Sequence, residues 1–593
     1  MTFSKKRTIV PLTLIILCII ARGLFLYSLR TYPFATLCKE ITLETLQDNP
    51  FELHYSIAYP EKMGLKGLSK NLIPFHGKNF EERRTIWNAR KELLSEIKTD
   101  TLSEENAFLY QLLSRHIKLQ LRSLDFPYYS NPLACSGGIH SQLPILLSEY
   151  TFRSKEDVEN YLLLLSQIPD YLEGLARYAT LQEKHNIFLY TESLKKIKSQ
   201  CLELFPEIQL KNDSHFLQTS FQQRIQILLE KNLLSQEEVA SFTVQNNKLL
   251  AEQIASAYQT LAASIDTLQG TPFETGLSAL PDGQEYYEFL LQSNTGSDRS
   301  IEEIRNMLYK RYDTLYNTYM TLLKEHSNTT RFKLDLDTPQ EMLQHLYTCS
   351  QEHFPSLQLQ SPSTTQQIQL KTVDGILTAM SAPAFYMTPP MDANDSHTIY
   401  INPDTEKNTL DLYATLAHEG FPGHLYQTVY SQTALSRRNA PLLQHLLYYG
   451  GFTEGWAVYA ELYSYDYMAK LASASPADNF LLDRYNREIQ LCLCSILDIY
   501  IHYDGASLQD IRDLLAALGL NSASAESIYS AICDSPANYP KYYVGYLEIL
   551  ELKNTAKELW GTRYSDFEFH KWLLETGGGD FTSLTWKLTQ KTS

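Results

Sequence analysis

Apolar positions recur three and four apart along most of the chain, the spacing that lays one stripe down a helix. Ser154 to Leu175 (SKEDVENYLLLLSQIPDYLEGL) opens with a Ser N-cap pattern and an acidic first turn before turning apolar. Gln218 to Leu261, Ser300 to Leu323 and Pro339 to Thr348 carry the same rhythm, which returns near Thr409 and persists to the end. Ile368–Val373 and Thr398–Ile401 instead read as strands, flanking a proline-rich passage, Ala382 to Asp392 (APAFYMTPPMD). The Ser/Thr/Gln-rich stretch Ser361 to Gln367 reads as a linker. No internal repeat is visible, which disfavours a solenoid. The pattern predicts a mainly α protein with a small β element, in a helical part over 46–360 and a second part over 361–593, which holds the candidate chemistry.

The first thirty residues differ from the rest. Lys5, Lys6 and Arg7 precede the uncharged run Ile9 to Ala21, and after Arg22 the apolar character resumes through Leu29, closed by Arg30. At about 1.5 Å per residue, a helix from Ile9 to Leu29 spans the ~30 Å hydrocarbon core, and Arg22 can snorkel. Residues 1–30 are therefore predicted to be a transmembrane anchor, joined to the body by a linker over 31–45. The positive flank keeps the N-terminus inside, giving a single-pass cell-membrane protein with an extracytoplasmic body. The alternative is a signal sequence and a secreted body. No A-x-A cleavage site follows the apolar run, however, and Leu17 is too large for a lipoprotein site at Cys18.

Composition narrows the class. The 593 residues are 44% hydrophobic and 20% charged, with 24 Gly and 24 Pro, which excludes a disordered, collagen-like or polytopic membrane chain. Acidic residues outnumber basic ones by 68 to 51, a net charge of −17, so the footprint that nucleic acid needs is missing. The eight Cys form no CxxC pair, which removes zinc-ribbon and redox readings. A serine hydrolase elbow (GxSxG) and a phosphate loop (GxxxxGK[ST]) are both absent from the sequence, and Cys135 has no identifiable partner His.

The chemistry concentrates in His418-Glu419-Gly420-Phe421-Pro422-Gly423-His424. Neutral imidazoles can hold a zinc ion, and a neighbouring carboxylate can take a proton from water. The difficulty is spacing. Histidines at i and i+6 lie about 240° apart around a regular helix and about 9 Å apart along its axis, so they cannot share an ion. Pro422 removes a helix hydrogen bond and Gly420 and Gly423 permit unusual backbone angles, so a bulge, or a break and restart, could bring the rings together. The alternative is a helix end at Gly420 with two unrelated histidines. Downstream, Glu454 and Glu461 in Phe452 to Glu461 (FTEGWAVYAE) are seven apart, on one face of a largely apolar helix. A buried carboxylate there needs a metal or an Arg partner; otherwise the face is exposed.

With HEGFPGH at 418–424 and EGWAVYAE at 454–461, the chain resembles the bacterial domain-of-unknown-function family 885, whose hallmarks are HEGxPGH and EGWAxYAE. Gly138 to Tyr150, the APAFYMTPP passage, Asp498 to Gly505, Tyr542 to Leu550 and Phe569-His570-Lys571 match as well, so the similarity spans about residues 45 to 585. The resemblance implies a large helical, zincin-like, zinc-dependent metallopeptidase that hydrolyses peptides. It makes His418, His424 and Glu454 the ligands of one Zn2+ and Glu419 the general base, with Glu461 as support or alternative ligand. For the oxyanion donor it points to Tyr542 first, then His502 and Tyr503; independently of the resemblance, the strand-like residues 398–401 could pair with an extended substrate, as an exposed sheet edge does. Many relatives carry Trp where this chain has Ala506. A surface-anchored, inactive peptide- or ligand-binding protein of the same fold is the competing expectation.

Overall fold

The structure, a computed structural model, describes residues 33–47, 49–75, 79–270, 275–325, 334, 336–357, 368–378, 381–393, 396–404, 409–471 and 478–590. The predicted anchor and the 361–367 linker lie outside the described residues, among which no helix is long and apolar enough to cross a membrane. Helices begin where side chains can satisfy their first N–H groups. Ser154 and Asp157 cap each other reciprocally at the start of α1 (Lys155–Lys184), and Thr338 and Glu341 do so at α2 (Pro339–Ser350). The Gln218–Leu261 rhythm is divided by a turn in which Asn232 takes a positive φ of 56°.

Residues 33–47, expected mostly within the 31–45 linker, are helical instead. Phe34, Leu37, Cys38 and Ile41 fall three and four apart and are all buried in the main core. So short a helix is marginal alone and gains its stability from that docking.

Among the described residues three strands follow: β1 (Ile368–Thr372), β2 (Ala384–Met387) and β3 (His397–Ile401). β3 is central, parallel to β1 with Ile368 opposite His397, and antiparallel to β2 with Ala384 opposite Ile401. The expected free edge at 398–401 is thereby corrected: β3 has a neighbour on each side, and among the described residues the edges belong to β1 and β2. No strand was expected at β2, because four residues between Pro383 and Thr388 are too few to show a period. Alternation along the strands divides the sheet between two helical cores. Ile399, Ile401 and Tyr386 face the core that holds Trp456, Tyr413 and Phe421, whereas Tyr400, Phe385 and Met387 face the one that holds Tyr161, Phe221 and Tyr258.

The main core also contains α3 (Thr409–Glu419), α4 (His424–Arg437), α5 (Gly450–Leu471), α6 (Asp478–His502) and α7 (Asn538–Trp560). α5 and α7 touch through their backbones. A Cβ on Gly455 would stand 2.3 Å from the carbonyl carbon of Gly545, and one on Gly545 would stand 2.2 Å from Gly451 O. Only glycine permits that approach, and it sets the first turns of α7 beside Glu454.

Candidate metal centre

α3 ends at Glu419 and α4 restarts at His424, so the four residues from Gly420 to Gly423 leave the helical path. Gly423 folds back against the last turn of α3, where a Cβ would sit 1.8 Å from His418 O. The Phe421–Pro422 peptide is cis, and the indole N–H of Trp456 donates to Pro422 O at 2.8 Å, tying the turn to α5. The rings of His418 and His424 consequently meet, with centroids 4.9 Å apart and planes at 86°. Of the backbone routes open to the sequence, the chain takes the break and restart.

Glu454 enters from α5, its Oε2 lying 3.3 Å from His424 Nε2 and 3.7 Å from His418 Nε2. Glu419 contributes an oxygen to the same cluster: one donor atom each from His418, Glu419 and His424 lie within 4.8 Å of one another. Donors about 2.0–2.1 Å from a tetrahedral zinc ion are about 3.3–3.4 Å apart, so the Glu454 separations suit such an ion, while the 4.8 Å set has to close by about 1 Å to share it. The side chains of His418, His424 and Glu454 keep 12%, 15% and 14% exposure, enough for solvent to reach them.

Glu461, one of two readings open in the sequence, stands behind His418. Its Oε2 is 3.1 Å from His418 Nδ1, while its Oε1 accepts from Arg487 Nε at 2.6 Å. A carboxylate so placed can fix the histidine's tautomer and leave its Nε2 turned inward. Arg487 gives no sequence signal for this role, since it is 26 residues from its partner.

The charges reinforce one another. Burial alone would lower the His418 pKa, but Glu454, Glu461 and Glu419 raise it to about 10, so the cluster attracts positive charge. Burial would raise Glu454, yet the two imidazoles and Lys541 hold it well below the usual carboxylate range. Against the same burial, Arg487 and His418 bring Glu461 down to about 2. Glu419 goes the other way: burial raises it despite the imidazoles and the Tyr386 N–H, which donates to its Oε2 at 2.8 Å. A raised carboxyl is the better proton acceptor near neutral pH.

Tyr542 stacks over His418 with ring centroids 6.2 Å apart, and burial with the Glu454 and Glu419 charges keeps its hydroxyl protonated. Neither His502 nor Tyr503 joins the cluster. His502 Nδ1 accepts from Leu277 N–H at 3.1 Å and Nε2 donates to Ile532 O at 3.0 Å, so both nitrogens are committed to backbone, and burial lowers its pKa to about 4. The Tyr503 hydroxyl donates to Glu288. Ala506 packs into a small separate core with Leu497 and Ile511. The sequence reading missed Arg487, the Tyr386 N–H and Lys541, whose Nζ lies 3.7 Å from Glu454 Oε1. Lys541 adjoins Tyr542 in sequence, which is its only local signal.

Fold and site define a mainly helical protein with a two-histidine, two-carboxylate cluster at a broken helix. The chain belongs to the family of bacterial proteins of unknown function DUF885, whose profile matches residues 61–580. Among solved structures it is similar to "the putative lipoprotein from Colwellia psychrerythraea", with a TM-score of 0.78 and 17% identity over 94% of this chain and 98% of that one. It is also similar to "a putative lipoprotein of unknown function from Shewanella oneidensis", with a TM-score of 0.60 and 16% identity over 94% of this chain and 100% of that one. At those identities the likeness is one of fold. No curated protein matches the chain.

Proposed function

We propose that this chain is a zinc-dependent, zincin-like metallopeptidase working outside the cytoplasmic membrane. One observation carries the reading: two imidazoles six positions apart close on each other, with Glu454 within 3.7 Å of both and Glu419 in the same cluster. His418, His424 and Glu454 would hold the ion and leave a position open, the arrangement of catalytic rather than structural zinc. Bound there, zinc supplies Lewis acidity toward a water and a peptide carbonyl. Glu419 takes the proton of the attacking water and passes it to the leaving amine. Tyr542, held in its protonated form, donates to the developing oxyanion.

β2 gives the substrate a track. Because the Tyr386 N–H points to Glu419, Tyr386 faces the free edge and its neighbours Phe385 and Met387 supply the ladder to β3. An extended peptide adding to that edge runs directly past the general base. For location, both solved neighbours are described as lipoproteins, which accords with a tethered extracytoplasmic body. Here the 9–29 segment, rather than a lipidated cysteine, would be the tether.

The test is a metal assay and peptide-library digest of the detergent-purified full chain. Wild type should carry about one zinc per chain after supplementation and cleave peptides. Glu419→Gln should keep the zinc and lose about 10²-fold or more in turnover. A chain that takes up no stoichiometric metal, or a Glu419→Gln variant as active as wild type, would overturn the proposal in favour of a binding protein.

A further inference from the structure

We infer that Lys541 receives the C-terminal carboxylate of the substrate, so that the protein removes single residues from the C-terminal end of short peptides. The inference rests on the metallopeptidase reading and names the substrate end that the site selects.

A dication at the cluster would be balanced by Glu419 and Glu454, and Glu461 is paired with Arg487 at 2.6 Å. Lys541 is then the site's cation without a full counter-charge. Among the described residues, Glu454 is the one carboxylate within 4.0 Å of its ammonium, at 3.7 Å, a separation too long for a hydrogen bond. An ammonium held so loosely, with its side chain 20% exposed, is open to a second anion.

The Lys541 stem lies over the first turn of α5, where a Cβ on Gly450 would come within 2.9 Å of its Cδ and 3.2 Å of its Cγ. Nζ sits 5.0 Å from the centroid of the Tyr542 ring, which itself stacks on His418. The ammonium is therefore fixed beside the positive end of α5, and both favour an anion there. Glu454 bridges the two, its Oε2 3.3 Å from His424 Nε2 and its Oε1 3.7 Å from Lys541 Nζ, so with about 2.2 Å across the carboxylate the imidazole-to-ammonium span is at most about 9 Å. An extended chain advances about 3.3–3.6 Å per residue. A carbonyl oxygen standing about 3.3 Å from the imidazole nitrogens across an ion, and a terminal carboxylate about 2.8 Å from the ammonium, leave about 3 Å of that span, which one residue covers. In that register water adds to the last peptide carbonyl and the C–N bond breaks. Glu419 carries the water proton to the nitrogen of the released amino acid, and the shortened peptide ends in a new carboxylate.

The test uses the zinc-loaded full chain and peptides of one sequence ending in a free acid or an amide. Wild type should release the C-terminal residue from the acid and favour it over the amide about tenfold or more in kcat/KM. Lys541→Met, which keeps the stem and removes the charge, should collapse that ratio toward one through KM, and Lys541→Arg should restore part of it. Calorimetry on Glu419→Gln should show the acid binding more tightly than the amide, and the added Lys541→Met change should abolish the difference. Internal cleavage of both peptides at equal rates, or a Lys541→Met variant that slows acid and amide alike, would overturn the inference while leaving the peptidase reading standing. Failure to cleave or bind either peptide would defeat both.

Discussion

At His418 the two ring nitrogens face two different carboxylates. Nε2 meets Glu454 in the cluster, while Nδ1 meets Glu461, itself fixed by Arg487. The Glu454–Glu461 spacing predicts one shared helix face, but not which carboxylate the histidine pair takes. That depends on how far α5 slides past α3, which no local pattern records. Glu461→Gln should weaken zinc binding about 10- to 100-fold in a competition titration, because the amide holds the tautomer less firmly and strands Arg487. Unchanged affinity would mean that His418 is oriented by packing alone.

Among elements, the decisive one is a departure from regularity. Pro422 and the two glycines signal that the helix through 418–424 is interrupted, and α3 and α4 are separate helices. The direction of the restart was not legible, because the Trp456 bond to Pro422 O comes from a helix 34 residues away. The α5–α7 contact has the same character. Gly455 and Gly545 look unremarkable singly, yet their backbones meet and bring Lys541 and Tyr542 to Glu454. Gly455→Val should cost about 1–3 kcal/mol in denaturant unfolding and also weaken zinc binding, since the added methyls must push α7 away. A fully stable variant with normal metal affinity would show that the helices can separate without disturbing the site.

For the whole molecule, long-range ties join segments that local patterns treat as independent. Asp498 on α6 is fully buried, its Oδ1 accepting from the Tyr287 hydroxyl at 2.7 Å and from Ala537 N–H, just before α7, at 2.9 Å. Burial raises its pKa to about 7 although both donors pull it down. Between the unfolded value of about 4 and about 7 the native state therefore holds a proton that the unfolded chain has lost, so this group's contribution to stability falls as pH rises through that window. Asp498→Asn lacks the titration. Its stability relative to wild type should rise from pH 4 to pH 7, by about 1.4 kcal/mol per pH unit at most, and then level off; denaturant midpoints across that range check it. A difference independent of pH would mean that the carboxyl is ionised throughout.

Local sequence was enough for the helical character, the chemical types at the site and the finding that a regular helix could not bring both histidines to one ion. Each of these is local, written in the spacing of apolar residues or in the geometry of a few peptide units. Only the packing of distant segments put β3 in the centre of the sheet and β2 at an edge, docked residues 33–47 as a helix, committed His502 to backbone, and brought Glu454 to the imidazoles with Lys541 beyond it. Those outcomes follow from which surfaces bury against each other across tens to hundreds of residues, and a segment's own periodicity says that it has a buried face without saying what covers it.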